Sequence, residues 1–242
     1  MRGVPDDRVH LNAGAGEGRD VGPYACPSVR AWRTWLMPPF LDHFSLVSPY
    51  YDRLFPFLNA ERLRALLQLP GPGRVLDLGG GTGQVAQALR GFVDEIVVLD
   101  ESPGMLRQAR LKGLPAVRGE AERLPFAQGA FTRILLVDTF HHLRDQRQAT
   151  VELLRVLAPG GRLVIEEPDV ERTPVRLIAL AEKLALMRSH FHSPQAVQGM
   201  FEAAGGRVRL EREGGKFWAV VEAFAGVGLS ESSVDPGEGG DV

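Results

Sequence analysis

The chain has 242 residues, is 44% hydrophobic and carries a formal net charge of −2, which is enough apolar material for one full-sized core and too balanced a charge for a nucleic-acid footprint. Its one cysteine, Cys26, excludes an internal disulfide and a cysteine-based metal cluster and fits a reducing cytoplasm. No apolar run approaches the ~18 residues of a membrane span, and no secretory signal core occurs in the first 30 residues.

Residues 1–36 are rich in Gly, Asp and Arg without a period, which predicts a disordered extension, with Met37 as a candidate true start. From 37 to 69 apolar positions recur at helical spacing, giving two or three helices ahead of the sheet. Strands are then expected near 74–79, 95–100, 115–120, 133–138 and 161–167, alternating with helices near 83–91, 103–112 and 145–157. Such alternation demands a parallel sheet, because each crossover carries the chain back over the sheet face. Two further helices follow, at 174–190 and 194–204, the second announced by Ser193 and Pro194 as N-cap and first residue. The runs RVRLERE and KFWAVVEAF, joined by Gly214 and Gly215, read as a hairpin. Residues 226–242 read as a disordered tail, so one domain is expected over 37–225.

The chemistry concentrates in VLDLGGGTG at 75–83 and VVLD at 97–100. An apolar strand that breaks into glycines brings backbone N–H groups and a helix N-terminus against a ligand. Asp100 ends the second strand 21 positions after Gly79, where a doubly wound fold places a carboxylate for ribose hydroxyls. A dinucleotide fingerprint needs a glycine at position 84, which is Gln84, so a nicotinamide oxidoreductase is disfavoured.

The pattern resembles motif I of the class I S-adenosylmethionine (SAM)-dependent methyltransferases. LDESPGMLRQAR at 99–110 is similar to that family's ribose-and-adenine segment, GEAERLPF at 119–126 to its adenine-edge segment, and LLRVLAPGGRLVIEEPD at 153–169 to its fourth helix and fifth strand. The nearest flavour is the ubiquinone/menaquinone-biosynthesis branch, whose members begin with a segment like FSLVSPYYDRLF at 44–55; that branch usually has Asp where this chain has Glu120. The resemblance implies an α/β, Rossmann-like fold with a mostly parallel seven-stranded sheet, a C-terminal antiparallel hairpin and helices on both faces. It implies SAM as cofactor, with Gly79, Gly81 and Gly83 in close backbone approach, Asp77 at the methionine end, Asp100 on the ribose, Met105 and Leu124 around the adenine, and Glu120 and Ala121 at its amino edge.

The fourth strand ends in LLVDTFHHL, which places Asp138, His141 and His142 near the cleft at the topological switch. Histidine titrates near neutrality, so these two, or His190 and His192 in SHFHSPQ, are candidate bases toward a phenol or enol. Tyr50 and Tyr51 are candidates to close the pocket over the sulfonium. The apolar stripe of the 174–190 helix suits a cover for a lipophilic acceptor or a peripheral membrane contact. The expected activity is methyl transfer to a small aromatic or lipophilic acceptor, with quinone-precursor C-methylation leading, O- or N-methylation of another metabolite next, and a non-catalytic SAM- or nucleoside-binding module as the rival class. No carboxylate and histidine cluster has a metal-ligand spacing.

Overall fold

The expected alternation is realised as a seven-stranded sheet in the computed structural model, which describes residues 43–57, 59–171 and 189–223. The expected extension at 1–36, the tail at 226–242 and nearly all of the 174–190 helix lie outside the described residues. The strands are β1 (Arg74–Leu78), β2 (Glu95–Asp100), β3 (Ala116–Arg118), β4 (Phe131–Val137), β5 (Leu157–Pro168), β6 (Gly206–Glu213) and β7 (Lys216–Ala223), in the order β3-β2-β1-β4-β5-β7-β6. Pairing is parallel from β3 through β5 and antiparallel at β5–β7 and β6–β7.

The helices are α1 (His43–Val47), α2 (Tyr51–Leu54), α3 (Ala60–Leu67), α4 (Gln84–Leu89), α5 (Pro103–Leu111), α6 (Gln146–Val156) and α7 (Pro194–Ala203). They divide between the two sheet faces by the period-2 alternation of the strands. Leu76, Leu78, Val97, Leu99, Ile134 and Leu136 point into a core shared with α6 and α7 through Leu153, Val197 and Phe201. Val75, Ile96, Val98 and Leu135 point the other way, against α3, α4 and α5 through Leu63, Leu67, Leu89 and Leu106. Burial on both faces is why these strands read as continuous apolar runs rather than as alternating ones.

Helix starts are set by local hydrogen bonds. Ser102 accepts the Met105 N–H at the start of α5, Asp145 accepts the Gln148 N–H at α6, and Ser193 accepts the Ala196 N–H at α7 with Pro194 in the first turn. The expected hairpin turns at Gly214 and Gly215, both with positive φ.

Two boundaries differ from the sequence reading. β3 is only three residues long: the Gly119 N–H bond to the Asp100 carbonyl is the last rung of its ladder with β2, and Glu120 then bridges Arg123. β5 begins at Leu157 rather than near 161, and the register shift between Phe131 and Arg133 absorbs Pro159, Gly160 and Gly161. The helical opening agrees with the sequence reading: it is three short helices, of which α3 carries the fully buried leucines. Among the described residues no helix is long and apolar enough to cross a membrane.

Candidate active site at the carboxyl ends of β1 and β4

The chain leaves β1 toward β2 and β3 and returns through β4 toward β5, so the carboxyl ends of β1 and β4 flank the crevice where an open α/β sheet binds its ligand. The glycines there do different things. A Cβ on Gly79 would lie 2.2 Å from the Thr139 side chain, on Gly80 2.5 Å from the Asp77 carboxyl, and on Gly83 2.4 Å from Leu114. These three glycines let the protein pack on itself. Gly81 alone of the loop opens outward: its nearest neighbour would be the Met105 sulfur at 3.8 Å, and its φ is +56°.

Asp77 is buried under this loop, and its Oδ2 accepts the Ala86 N–H (3.2 Å) in the first turn of α4. Burial, more than any neighbour, raises its pKa to about 7. At the end of β2, Asp100 accepts the Gly81 N–H (3.0 Å) on one oxygen and the Ser102 N–H (2.8 Å) on the other, fixing the loop's open position. A carboxylate accepts about four hydrogen bonds, and these two come from the backbone. Met105, Ala121 and Leu124 are buried beside this strand end, while Glu120 is an exposed side chain 3.7 Å from Arg144.

The 44–55 segment lies over the loop. Asp52 of α2 accepts the Thr82 hydroxyl (2.5 Å) and pairs with Lys112 (2.5 Å) at the end of α5. Ser45 of α1 meets the Ser102 hydroxyl at 3.1 Å and accepts the Gly104 N–H at 2.9 Å. Tyr51 is held in the crevice by this clamp. Burial raises its hydroxyl pKa, and the carboxylates of Asp138, Asp100 and Asp52 raise it further.

Beyond β4, Asp138 adopts a left-handed φ of +49°, donates its N–H to the Glu166 carbonyl (2.9 Å) and lies 3.4 Å from the Lys216 ammonium. Partial burial raises its carboxyl pKa; Lys216 opposes the shift, and Glu167 and Glu166 add to it.

The side chains of His141, His142 and His192 are engaged with the chain itself. His141 is 4% exposed, its Nδ1 is 2.5 Å from Glu167 Oε2, and its ring stacks on Phe191 at 4.2 Å. The other Glu167 oxygen accepts the Thr139 and Phe140 N–H groups. His142 meets the Ser189 hydroxyl at 3.3 Å and the Phe44 ring edge-on, and burial together with His141 pushes its pKa down to about 4. His190 donates its N–H to the His141 carbonyl, and His192 Nε2 is 2.5 Å from the Gln146 side-chain oxygen. The imidazoles of His141, His142 and His192, with the His190 backbone N–H, dock the 189–193 segment onto the turn after β4 and the start of α6. His142 is neutral at pH 7 and a weak base there.

Sequence reasoning missed Asp52, Thr82, Glu166, Glu167 and Lys216. The signal for the two glutamates was present: adjacent carboxylates inside the apolar run LVIEEP must both be buried on a central strand, one to each face, and each needs a partner. No local signal marks Lys216 or Asp52, whose partners lie 50 and 30 or more positions away.

The strand order, the glycine loop and the carboxylate at the end of β2 define a methyltransferase of the class I fold, and comparison with known proteins agrees. Residues 76–165 match the methyltransferase domain family. The demethylmenaquinone methyltransferase of Thermus thermophilus is 33% identical over 206 residues, covering 69% of this chain and 93% of that protein. That of Mycolicibacterium vanbaalenii is 38% identical over 127 residues, covering 52% of this chain and 54% of that protein. Among solved structures, a SAM-dependent methyltransferase from Thermotoga maritima superposes with a TM-score of 0.63 at 25% identity, covering 74% of this chain and 97% of that one. The methyltransferase bound to the Haloferax volcanii Trm112 activator has a TM-score of 0.66 at 19% identity, covering 76% and 98%, a likeness of fold alone. The chain belongs to the class I methyltransferases. Within them it falls on the branch that resembles the ubiquinone/menaquinone-biosynthesis enzymes.

Proposed function

We propose that this protein uses SAM to methylate a ring carbon of a reduced, lipophilic quinone precursor in the cytoplasm. The observation that carries the cofactor is Gly81. It is the one loop glycine whose missing side chain leaves open space, and it is bracketed by Asp100 at a strand end and by the buried Met105. In this reading Gly81 and Asp100 hold the methionine and ribose portions, while Met105, Ala121 and Leu124 enclose the adenine. Bound SAM supplies an electrophilic methyl group, its sulfur keeping the bonding pair. What the protein adds is alignment and a water-poor crevice. Asp100 fixes the loop through two backbone N–H groups, and the Asp52 clamp holds Tyr51 over it. An aromatic face beside a sulfonium is attractive.

The demethylmenaquinone methyltransferases named above support the acceptor class. The exposed apolar side chains of Tyr50, Leu54 and Phe55, at 62%, 61% and 60%, support a peripheral contact with a lipid surface beside the crevice, where such an acceptor resides. The deciding experiment combines SAM calorimetry with a methyl-transfer assay on chemically reduced demethylmenaquinone carrying a short prenyl chain. Micromolar SAM binding and a C-methylated product are expected. SAM binding with methylation only at oxygen or nitrogen of other metabolites would move the acceptor assignment, and absence of SAM binding would end the reading.

A further inference from the structure

Lys216 opens β7 immediately after the Gly214–Gly215 turn and pairs with Pro168 at the carboxyl end of β5, one strand over from Asp138. Its ammonium donates to Glu166 Oε1 at 2.5 Å and faces Asp138 Oδ2 at 3.4 Å. Glu166 is completely buried, and its second oxygen accepts the Trp218 indole N–H at 2.9 Å. A buried carboxylate without a counter-charge is strongly destabilising, so this pairing anchors the lysine while leaving its side chain 35% exposed. An ammonium has three donors, and the two carboxylates use two of them. The chain has 25 arginines and only three lysines (28 basic residues less Lys112, Lys183 and Lys216). A compact ammonium here keeps a tetrahedral donor that the planar fork of an arginine would commit to the carboxylates.

Asp138 sits at the same place with its side chain 48% exposed. The charged and titratable groups facing it are Lys216 from β7, Glu166 and Glu167 from β5, and Tyr51 from α2. His141 and His142 on the neighbouring turn are occupied in docking the 189–193 segment.

We propose that Lys216 and Asp138 form the hydroxyl-binding site for the methyl acceptor, Asp138 accepting the proton of a phenol and Lys216 facing the oxyanion that remains. The proposal rests on the methyl-transfer reading above. In this step the acceptor O–H bond breaks heterolytically. Its proton passes to the Asp138 carboxylate and the bonding pair stays on oxygen, so nothing is oxidised or reduced, and Asp138 returns the proton to water. A ring carbon ortho to the oxyanion is thereby made nucleophilic without an imidazole base. Lys216 and Asp138 are catalytic residues in this account, and Glu166 and Trp218 position the lysine. The rival account is that Lys216 serves only to neutralise Glu166.

The test uses 1-naphthol, whose neutral and ionised forms absorb at different wavelengths, titrated on the full chain saturated with S-adenosylhomocysteine. Bound to the wild type, it should ionise about one to three pH units below its free value, the shift expected of an opposite charge within 4–6 Å. Lys216→Met should abolish the shift, and Lys216→Arg should retain part of it. Lys216→Gln, which keeps a donor toward Glu166 without the charge, gives the same comparison if the methionine variant does not fold. Asp138→Asn should keep the shift yet lower turnover of the reduced quinone at least tenfold. A wild-type shift that persists undiminished in the uncharged variants, or no shift in the wild type, overturns the proposal. Wild-type protein that binds S-adenosylhomocysteine but no naphthol overturns it while leaving the methyl-transfer reading in place. Protein that binds neither overturns both.

Discussion

Gly81 and its neighbours separate two requirements that a glycine-rich loop mixes together. Adding a side chain at Gly79 or Gly83 drives it into Thr139 or Leu114, so Gly79→Ala and Gly83→Ala should lower the melting temperature. At Gly81 the space is open, and the cost of a side chain is the left-handed φ together with whatever occupies that space. Gly81→Val is therefore expected to keep a native circular dichroism spectrum and to weaken SAM binding at least tenfold. Wild-type affinity in calorimetry would show that the cofactor does not approach the loop there. Asp100 acts on the same position from below. Removing its carboxylate in Asp100→Ala strips the Gly81 and Ser102 N–H groups of their acceptor and should weaken SAM binding by about 1.5–3 kcal/mol, the scale of a hydrogen bond to a charged group.

At the scale of elements, α2 is a four-residue helix without a buried residue, so its own packing does not hold it. Asp52 does, by tying it to Thr82 in the glycine loop and to Lys112 at the end of α5. One carboxylate thus joins three elements around the crevice. In a double-mutant cycle, Asp52→Asn and Lys112→Met are each expected to weaken SAM binding several-fold. The two should couple by about 0.5–1 kcal/mol, since the pair is only partly buried. Simple additivity in calorimetry would mean that the pair does not hold α2 in place.

For the whole molecule, two buried groups give the pH dependence of stability opposite signs. The Asp77 pKa is about 7 in the folded chain, above its ordinary value, so between roughly pH 4 and 7 the folded state binds more protons than the unfolded one, and this contribution is lost as pH rises. For His142, at about 4 against an ordinary 6.5, the unfolded state binds the extra proton, and stability is lost as pH falls from 6.5 toward 4. Each slope is at most about 1.4 kcal/mol per pH unit, and from pH 4 to 6.5 they oppose each other. Asp77→Asn, whose amide oxygen still accepts the Ala86 N–H, should therefore show a steeper loss of stability toward acid than the wild type. His142→Gln should show the reverse, with stability rising as pH falls toward 4. Urea denaturation at half-unit pH intervals checks both. Parallel curves for the three proteins would mean that neither group shifts on folding.

The strands, the helices between them, the hairpin and the glycine loop were legible in the sequence because each is set by neighbours a few positions apart. Apolar runs buried on both faces, Ser and Asp caps, and Gly–Gly at a turn act within one element or its junction. The strand-end position of Asp100 was legible for the same reason. The length of β3 and the early start of β5 were not, since the turn closed by the Glu120–Arg123 bridge and a register shift against β4 decide them. The sequence also determined that Asp138, His141 and His142 would gather at the end of β4. Which of them faces the crevice was decided by tertiary structure alone. Glu167, Phe191 and Gln146 draw the imidazoles into packing, while Lys216, 78 positions along the chain from Asp138, arrives beside it only because β7 folds back antiparallel onto β5. A charge acquires its role from what stands within a few ångströms of it, and across the sheet that distance is written in the topology and not in the spacing of residues.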